Sequence, residues 1–261
     1  MPSKIVSKTT QSNIPNGISK MLHPSLVASS ESELIMPILD GSGSMNEVCT
    51  FDGRKKVDHL LEIITESLVR LSNSPKKPVF RICVIYFASK PTVTLIDNTP
   101  YYPLDTLLRV GVENPVKVAG GNGTSIAKAL YSAAEVIKDF VNNPGIPGNK
   151  KVTAILFTDG NETVKKDGSV KQAANNLRSL PVCPTLACVS LGADADDALL
   201  LDIASEASNR QIGHFDLAGI LDLLPANPYK LFLKGTASGV ITKNLAEAIR
   251  HFFNILSQTK A

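Results

Sequence analysis

The stretch that decides the fold is Leu34-Ile35-Met36-Pro37-Ile38-Leu39-Asp40-Gly41-Ser42-Gly43-Ser44. A run without polar side chains enters an acid, and glycines and serines then alternate. A short apolar run with no polar alternation reads as a strand buried on both faces of a sheet. Pro37 cannot donate to a ladder, which counts against full pairing of a central strand. The same grammar returns downstream, where residues 152–158 form a largely apolar strand that leads into Asp159 and Gly160.

Working outward, Val57, Leu60, Leu61, Ile64, Leu68 and Leu71 are spaced as one face of an amphipathic helix. Residues 79–88 are rich in Val, Ile, Phe and Tyr and read as a strand. Residues 91–96 read as a shorter one, and the tight connection through Ser89 and Lys90 predicts antiparallel pairing at an edge. A loop is expected over 97–123, with a short helix near 104–109. Ile126, Leu130, Ala133, Ala134, Ile137 and Val141 mark another helix, closed by Pro144, Gly145, Pro147 and Gly148. Helices at 170–180 and 195–208 alternate with strands at 182–191 and 212–215. A last helix is expected around Leu245, Ile249, Phe252, Phe253 and Leu256. The alternation predicts an α/β fold: a doubly wound, Rossmann-like, mostly parallel central sheet with one antiparallel edge strand and helices on both faces. Residues 1–32 show no sustained period and are expected to form a partly flexible extension. Residues 33–261 are expected to form a single domain, without internal repeats.

Composition narrows the function. The 261 residues are 43% apolar and 20% charged, too apolar for a disordered chain. Lys plus Arg is 27 against 24 acids, a net charge of +3, which argues against a nucleic-acid binder working through phosphates. Cys49, Cys83, Cys183 and Cys188 have neither CxxC spacing nor a nearby histidine set, so they read as buried thiols acting as small hydrophobes. The first residues lack a signal-peptide apolar segment, and no apolar run approaches the ~20 residues that span a bilayer. The expectation is a cytoplasmic protein in a reducing, aqueous compartment, with no membrane partner.

Ligands of such sheets sit outside the carboxyl ends of the strands. Three loops are expected to converge there: residues 40–44 after the first strand, Gly120-Gly121-Asn122-Gly123-Thr124-Ser125 before a helix, and Thr158-Asp159-Gly160-Asn161-Glu162 after another strand. Together they offer the hydroxyls of Ser42, Ser44 and Thr124 and the carboxylates of Asp40 and Asp159. Hard oxygen donors without His or Cys suit Mg²⁺, with Mn²⁺ or Ca²⁺ possible, and not zinc. Two carboxylates at most balance the ion. If they reach it through water it stays electron-poor and favours an incoming carboxylate.

Asp40-x-Ser42-x-Ser44, then Thr124, then Asp159 resembles the complete metal-ion-dependent adhesion site (MIDAS) of von Willebrand factor type A domains, the integrin I-like family. The resemblance covers residues 33–223. It implies that Ser42 and Ser44 ligate Mg²⁺ directly, that Thr124 does so directly or through water, and that Asp40 and Asp159 hold coordinated waters and orient the serines. A partner protein would supply Glu or Asp to the remaining position. Absence of leader, span and disulfides makes the chain similar to intracellular prokaryotic members of tellurium-resistance and stress-response systems. Those members act beside AAA+ ATPases or a kinase and phosphatase, so a coupling subunit of such a system is the alternative function. Residues 45–56, with Glu47 and Asp52, are assigned to the rim.

Three enzyme motifs fail on the residues present. A haloacid-dehalogenase-type Mg²⁺ phosphatase needs a second carboxylate two residues after the first, where Ser42 stands. A hydrolase elbow needs glycines where Asp40 and Ser44 stand. A P-loop needs a lysine before Thr124. No nucleophile–base pair is visible, and the reading is of a protein that is not an enzyme. Glu162 is expected at a solvated rim, and Asp194, Asp196 and Asp197 at a helix start. Arg54-Lys55-Lys56 reads as a solvated helix start. No role falls to His23, His59, His214 or His251.

Overall fold

A strand buried on both faces needs apolar side chains at nearly every position, and β1 (Glu31–Asp40) meets that demand: every residue after Glu31 is buried. The computed structural model describes residues 31–49, 52–164, 168–191, 195–206 and 230–233. At the centre, β1 runs parallel to β6 (Asn149–Thr158), with Glu31 opposite Asn149 and Leu39 opposite Phe157. Beyond β1 lie β2 (Phe80–Ile82) and β3 (Ile85–Phe87), end to end and parallel to it. The edge strand β4 (Pro91–Val93) is antiparallel to β3, as expected. Beyond β6 come β7 (Thr185–Ser190) and β8 (Phe232–Leu233), both parallel. A two-residue strand, β5 (Tyr102–Pro103), adds an antiparallel pair to β2.

Side-chain alternation divides the apolar strands between two cores. Ile35, Leu39, Ile155 and Phe157 face α1 (Lys56–Ser72) and α2 (Leu104–Val110). Leu34, Met36, Ile38, Ala154 and Leu156 face α4 (Ile126–Asn142), α5 (Val170–Arg178) and α6 (Asp197–Ile203). Helices therefore cover both faces of a mostly parallel sheet, and the expected fold class stands.

Several local expectations change. The strand expected over 79–88 is split between β2 and β3, although both pieces keep one register, with Ile35 opposite Ile82 and Ile38 opposite Ile85. That register sets the gap at Cys83 and Val84 against Met36 and Pro37. Pro37 has no N–H to give on that side, so a proline is tolerated in a central strand where the neighbouring ladder is interrupted. The loop expected over 97–123 contains α3 (Pro115–Ala119). Its start is signed by Asn114, whose Oδ1 accepts from the N–H groups of Val116 (3.0 Å) and Lys117 (3.3 Å), and by Pro115 at the first position. Left-handed Gly120 closes it. α6 is shorter than the expected 195–208, and Asp196 caps it by accepting from the Leu199 N–H (2.9 Å). β8 lies where no strand was expected. The strand expected at 212–215 and the helix around 245–256 lie outside the described residues, as do Asp194 and nearly all of residues 1–32.

Three cysteines are buried as expected, and burial pushes the thiols of Cys83 and Cys188 well above the usual range. Cys183 departs from that reading: it is exposed, at φ 47° in the turn before β7. Among the described residues no helix is long and apolar enough to cross a membrane.

Candidate metal centre

The carboxyl ends of β1 and β6 stop side by side, and each delivers a fully buried aspartate. Asp40 ends β1. Its Oδ1 accepts from the Ser42 N–H (2.8 Å), which closes the turn that carries the serines. Its Oδ2 accepts from Thr158 Oγ1 (2.6 Å), the last residue of β6. Asp159 follows directly, and its Oδ1 accepts from Ser44 Oγ (2.8 Å). Ser42 Oγ and Ser44 Oγ lie 3.1 Å apart, so the two hydroxyls sit between the two carboxylates.

The third loop is laid against the first. Ser42 forms an isolated parallel bridge with Gly121, and the Ser125 N–H donates to the Ala88 carbonyl (2.8 Å). Thr124 is buried. Its N–H donates to Thr163 Oγ1 (2.7 Å), and the Thr163 N–H returns a bond to the Thr124 carbonyl (2.9 Å). The Thr124 hydroxyl faces Gly160, where an added Cβ would lie 3.5 Å from Oγ1. Gly123, at φ +96°, supplies a backbone conformation other residues resist. All five residues expected at the site are thus brought to one end of the sheet.

Burial raises the Asp40 pKa from 3.8 to about 6, against the opposing hydrogen bonds from Thr158 and Ser42, and the nearby Asp159 raises it further.

Four residues at the site escaped the sequence reading. Lys56 is a correction: it is not part of a solvated helix start but 6% exposed. Its Nζ donates to Asp159 Oδ2 (3.0 Å) and Glu47 Oε2 (2.6 Å). Burial works against its charge, but the bonds to Glu47 and Asp159 outweigh it and raise its pKa. Arg54 does stay at the surface, paired with Glu62 (2.7 Å). Glu162 is the second correction: rather than standing at a solvated rim, its Oε2 accepts from the N–H groups of Ile126 and Ala127 (3.3 Å), capping α4. Thr158 and Thr163 complete the four: Thr158 stood in the expected loop, but its bond to Asp40, like that of Thr163 to the Thr124 N–H, depends on partners distant in the chain. Of the expected rim, Glu47 is exposed, while Asp52 pairs with His59 (3.0 Å).

The donor chemistry fits a hard divalent ion. An octahedron with metal–oxygen bonds of about 2.0–2.1 Å has edges near 3 Å, and the serine hydroxyls stand 3.1 Å apart. Among the described residues no group of three or more His, Cys, Asp or Glu side chains is arranged to hold a metal. The oxygens gathered here are two carboxylates and neutral hydroxyls, the donor types that suit a hard cation.

Comparison with known proteins agrees with this geometry. The sequence profile of the von Willebrand factor type A domain matches residues 35–218. Among solved structures, proximal thread matrix protein 1 from the mussel byssus aligns over 87% of this chain and 48% of its own, with 14% identity and a TM-score of 0.58. A second structure of that protein, described as having a zinc-occupied MIDAS motif, gives 14% identity, the same coverage and a TM-score of 0.58. A von Willebrand factor type A protein from Catenulispora acidiphila aligns over 85% of this chain and 42% of its own, with 19% identity and a TM-score of 0.56. At these identities the likeness concerns the fold. The chain spans less than half the length of each of these solved chains. No curated protein matches the sequence significantly.

Proposed function

The chain belongs to the von Willebrand factor type A domain family, and on that footing we propose that it is a non-catalytic, Mg²⁺-dependent protein-binding module. Asp40, Ser42, Ser44, Thr124 and Asp159 would hold the ion. One observation carries the reading: two serine hydroxyls 3.1 Å apart lie between two fully buried aspartates at the ends of adjacent parallel strands. The serines offer neutral oxygens, and Thr124 offers another from the facing loop. Asp40 holds the turn through the Ser42 N–H, and Asp159 orients the Ser44 hydroxyl. The ion, when bound, supplies an electron-poor acceptor for a carboxylate. The partner's group is accordingly a Glu or Asp side chain.

The same contacts support the absence of catalysis. Ser42 and Ser44 bond to each other and Ser44 to Asp159, and none of these bonds involves a histidine that could act as base. His59, near in sequence, is engaged by Asp52.

The test is a capture experiment on the tagged 261-residue chain, wild type and Ser42→Ala/Ser44→Ala, each with Mg²⁺ and with chelator. Wild type with Mg²⁺ is expected to retain a protein that the other three conditions all lose. Identical recoveries in all four would overturn the reading.

A further inference from the structure

Lys56 is the only buried Lys or Arg among the described residues. It is held at both ends. Its backbone N–H donates to the Glu47 carbonyl (3.0 Å), and its Nζ to the Glu47 carboxylate (2.6 Å) and Asp159 Oδ2 (3.0 Å). Asp159 thus serves two clients: its Oδ1 orients Ser44, and its Oδ2 is engaged by an ammonium. The neighbouring cations differ, because Arg54 and Lys55 are exposed.

We infer that Lys56 is an internal cation that shares Asp159 with the divalent ion and thereby sets how tightly that ion is held. The inference rests on the metal reading above. The physical argument is charge at short range. Asp40, Asp159 and the more exposed Glu47 offer three negative charges, and the ammonium, bonded to Glu47 and Asp159, cancels one before any ion arrives. An entering ion meets a smaller attraction and a direct repulsion from Lys56, weakly screened because the group is buried. Once loaded, the ion and the ammonium together match Asp40, Asp159 and Glu47, whereas without Lys56 the loaded site would carry a net negative charge. The same lysine that loosens the ion also strengthens the site's attraction for an incoming carboxylate. Glu47, exposed and already bonded to the ammonium, occupies the outer side of Lys56 in the meantime.

The test measures Mn²⁺ affinity by electron paramagnetic resonance on the full chain. The proteins are wild type, Lys56→Met, Lys56→Gln and Lys56→Arg, with thermal melts in chelator to establish folding. Removing a unit charge at this range should tighten Mn²⁺ by about tenfold or more in the two neutral variants. Lys56→Arg keeps the charge and should stay within about threefold of wild type. Neutral variants that fold and bind no tighter than wild type overturn the inference and leave the metal reading intact. Wild type that binds no Mn²⁺ overturns both. A second measurement needs no variant: the Lys56 ammonium resonance should move when Mg²⁺ is added to wild type. If it stays fixed while Ser42 and Ser44 resonances move, the inference falls.

Discussion

Gly41 and Gly43 alternate with serines in one loop and are indistinguishable by sequence, yet they should respond oppositely to one added methyl. A Cβ on Gly41 would collide with the Pro115 carbonyl and stand 2.9 Å from the Ala119 Cβ. These are backbone and short side-chain atoms with no rotamer to yield, so α3 would have to shift. A Cβ on Gly43 meets nothing within 4 Å. Neither glycine has positive φ, so only space is at issue. Overpacking of this kind costs about 1–3 kcal/mol. In a domain of this size each kcal/mol lowers Tm by about 2–4 °C. Gly41→Ala should therefore melt roughly 2–12 °C below wild type, and Gly43→Ala within about 2 °C of it. The displacement should also reach the metal donors, because α3 leads into Gly121, which bridges Ser42. Melting curves in chelator and Mn²⁺ titrations check both effects. Gly41→Ala as stable as wild type, or Gly43→Ala as damaged as Gly41→Ala, would refute the packing argument.

Two further outcomes follow from the site. Asp40 has a folded pKa of about 6 against 3.8 unfolded, so the folded chain holds its proton more tightly. Its contribution to stability is fully present below pH 3.8 and is lost as pH rises through about 6, a loss of about 3 kcal/mol. In chelator, Asp40→Asn should therefore gain on wild type between pH 4 and 7 by up to that amount, read by denaturant unfolding, and Mg²⁺ should recover stability in wild type alone. A difference that does not grow with pH would rule this out. At α4, Glu162→Ala should cost about 1–2 kcal/mol and Glu162→Gln, which keeps an acceptor, about 0.3–1 kcal/mol. Equal losses in thermal denaturation would remove the capping account.

The alternation of strands and helices is legible along the chain, because period and turn chemistry are written within a few neighbouring residues. The apolar runs entering Asp40 and Asp159 marked the central strands, and the three polar loops contain all five residues that the structure brings to one end of the sheet. Asn114, Pro115 and Gly120 also carried the signature of α3, a local signal that the loop reading of this region missed. The remaining features depend on partners distant in the chain. The tolerance of Pro37 depends on which gap the parallel register sets beside it. Thr158 braces Asp40 across 118 positions, and Lys56 reaches Asp159 across 103. The helical period sets Lys56 one turn before buried Leu60, but no nearby residue tells which carboxylates it meets. Its burial arises because α1 begins over the end of β6, and that meeting exists only once β1 and β6 have paired.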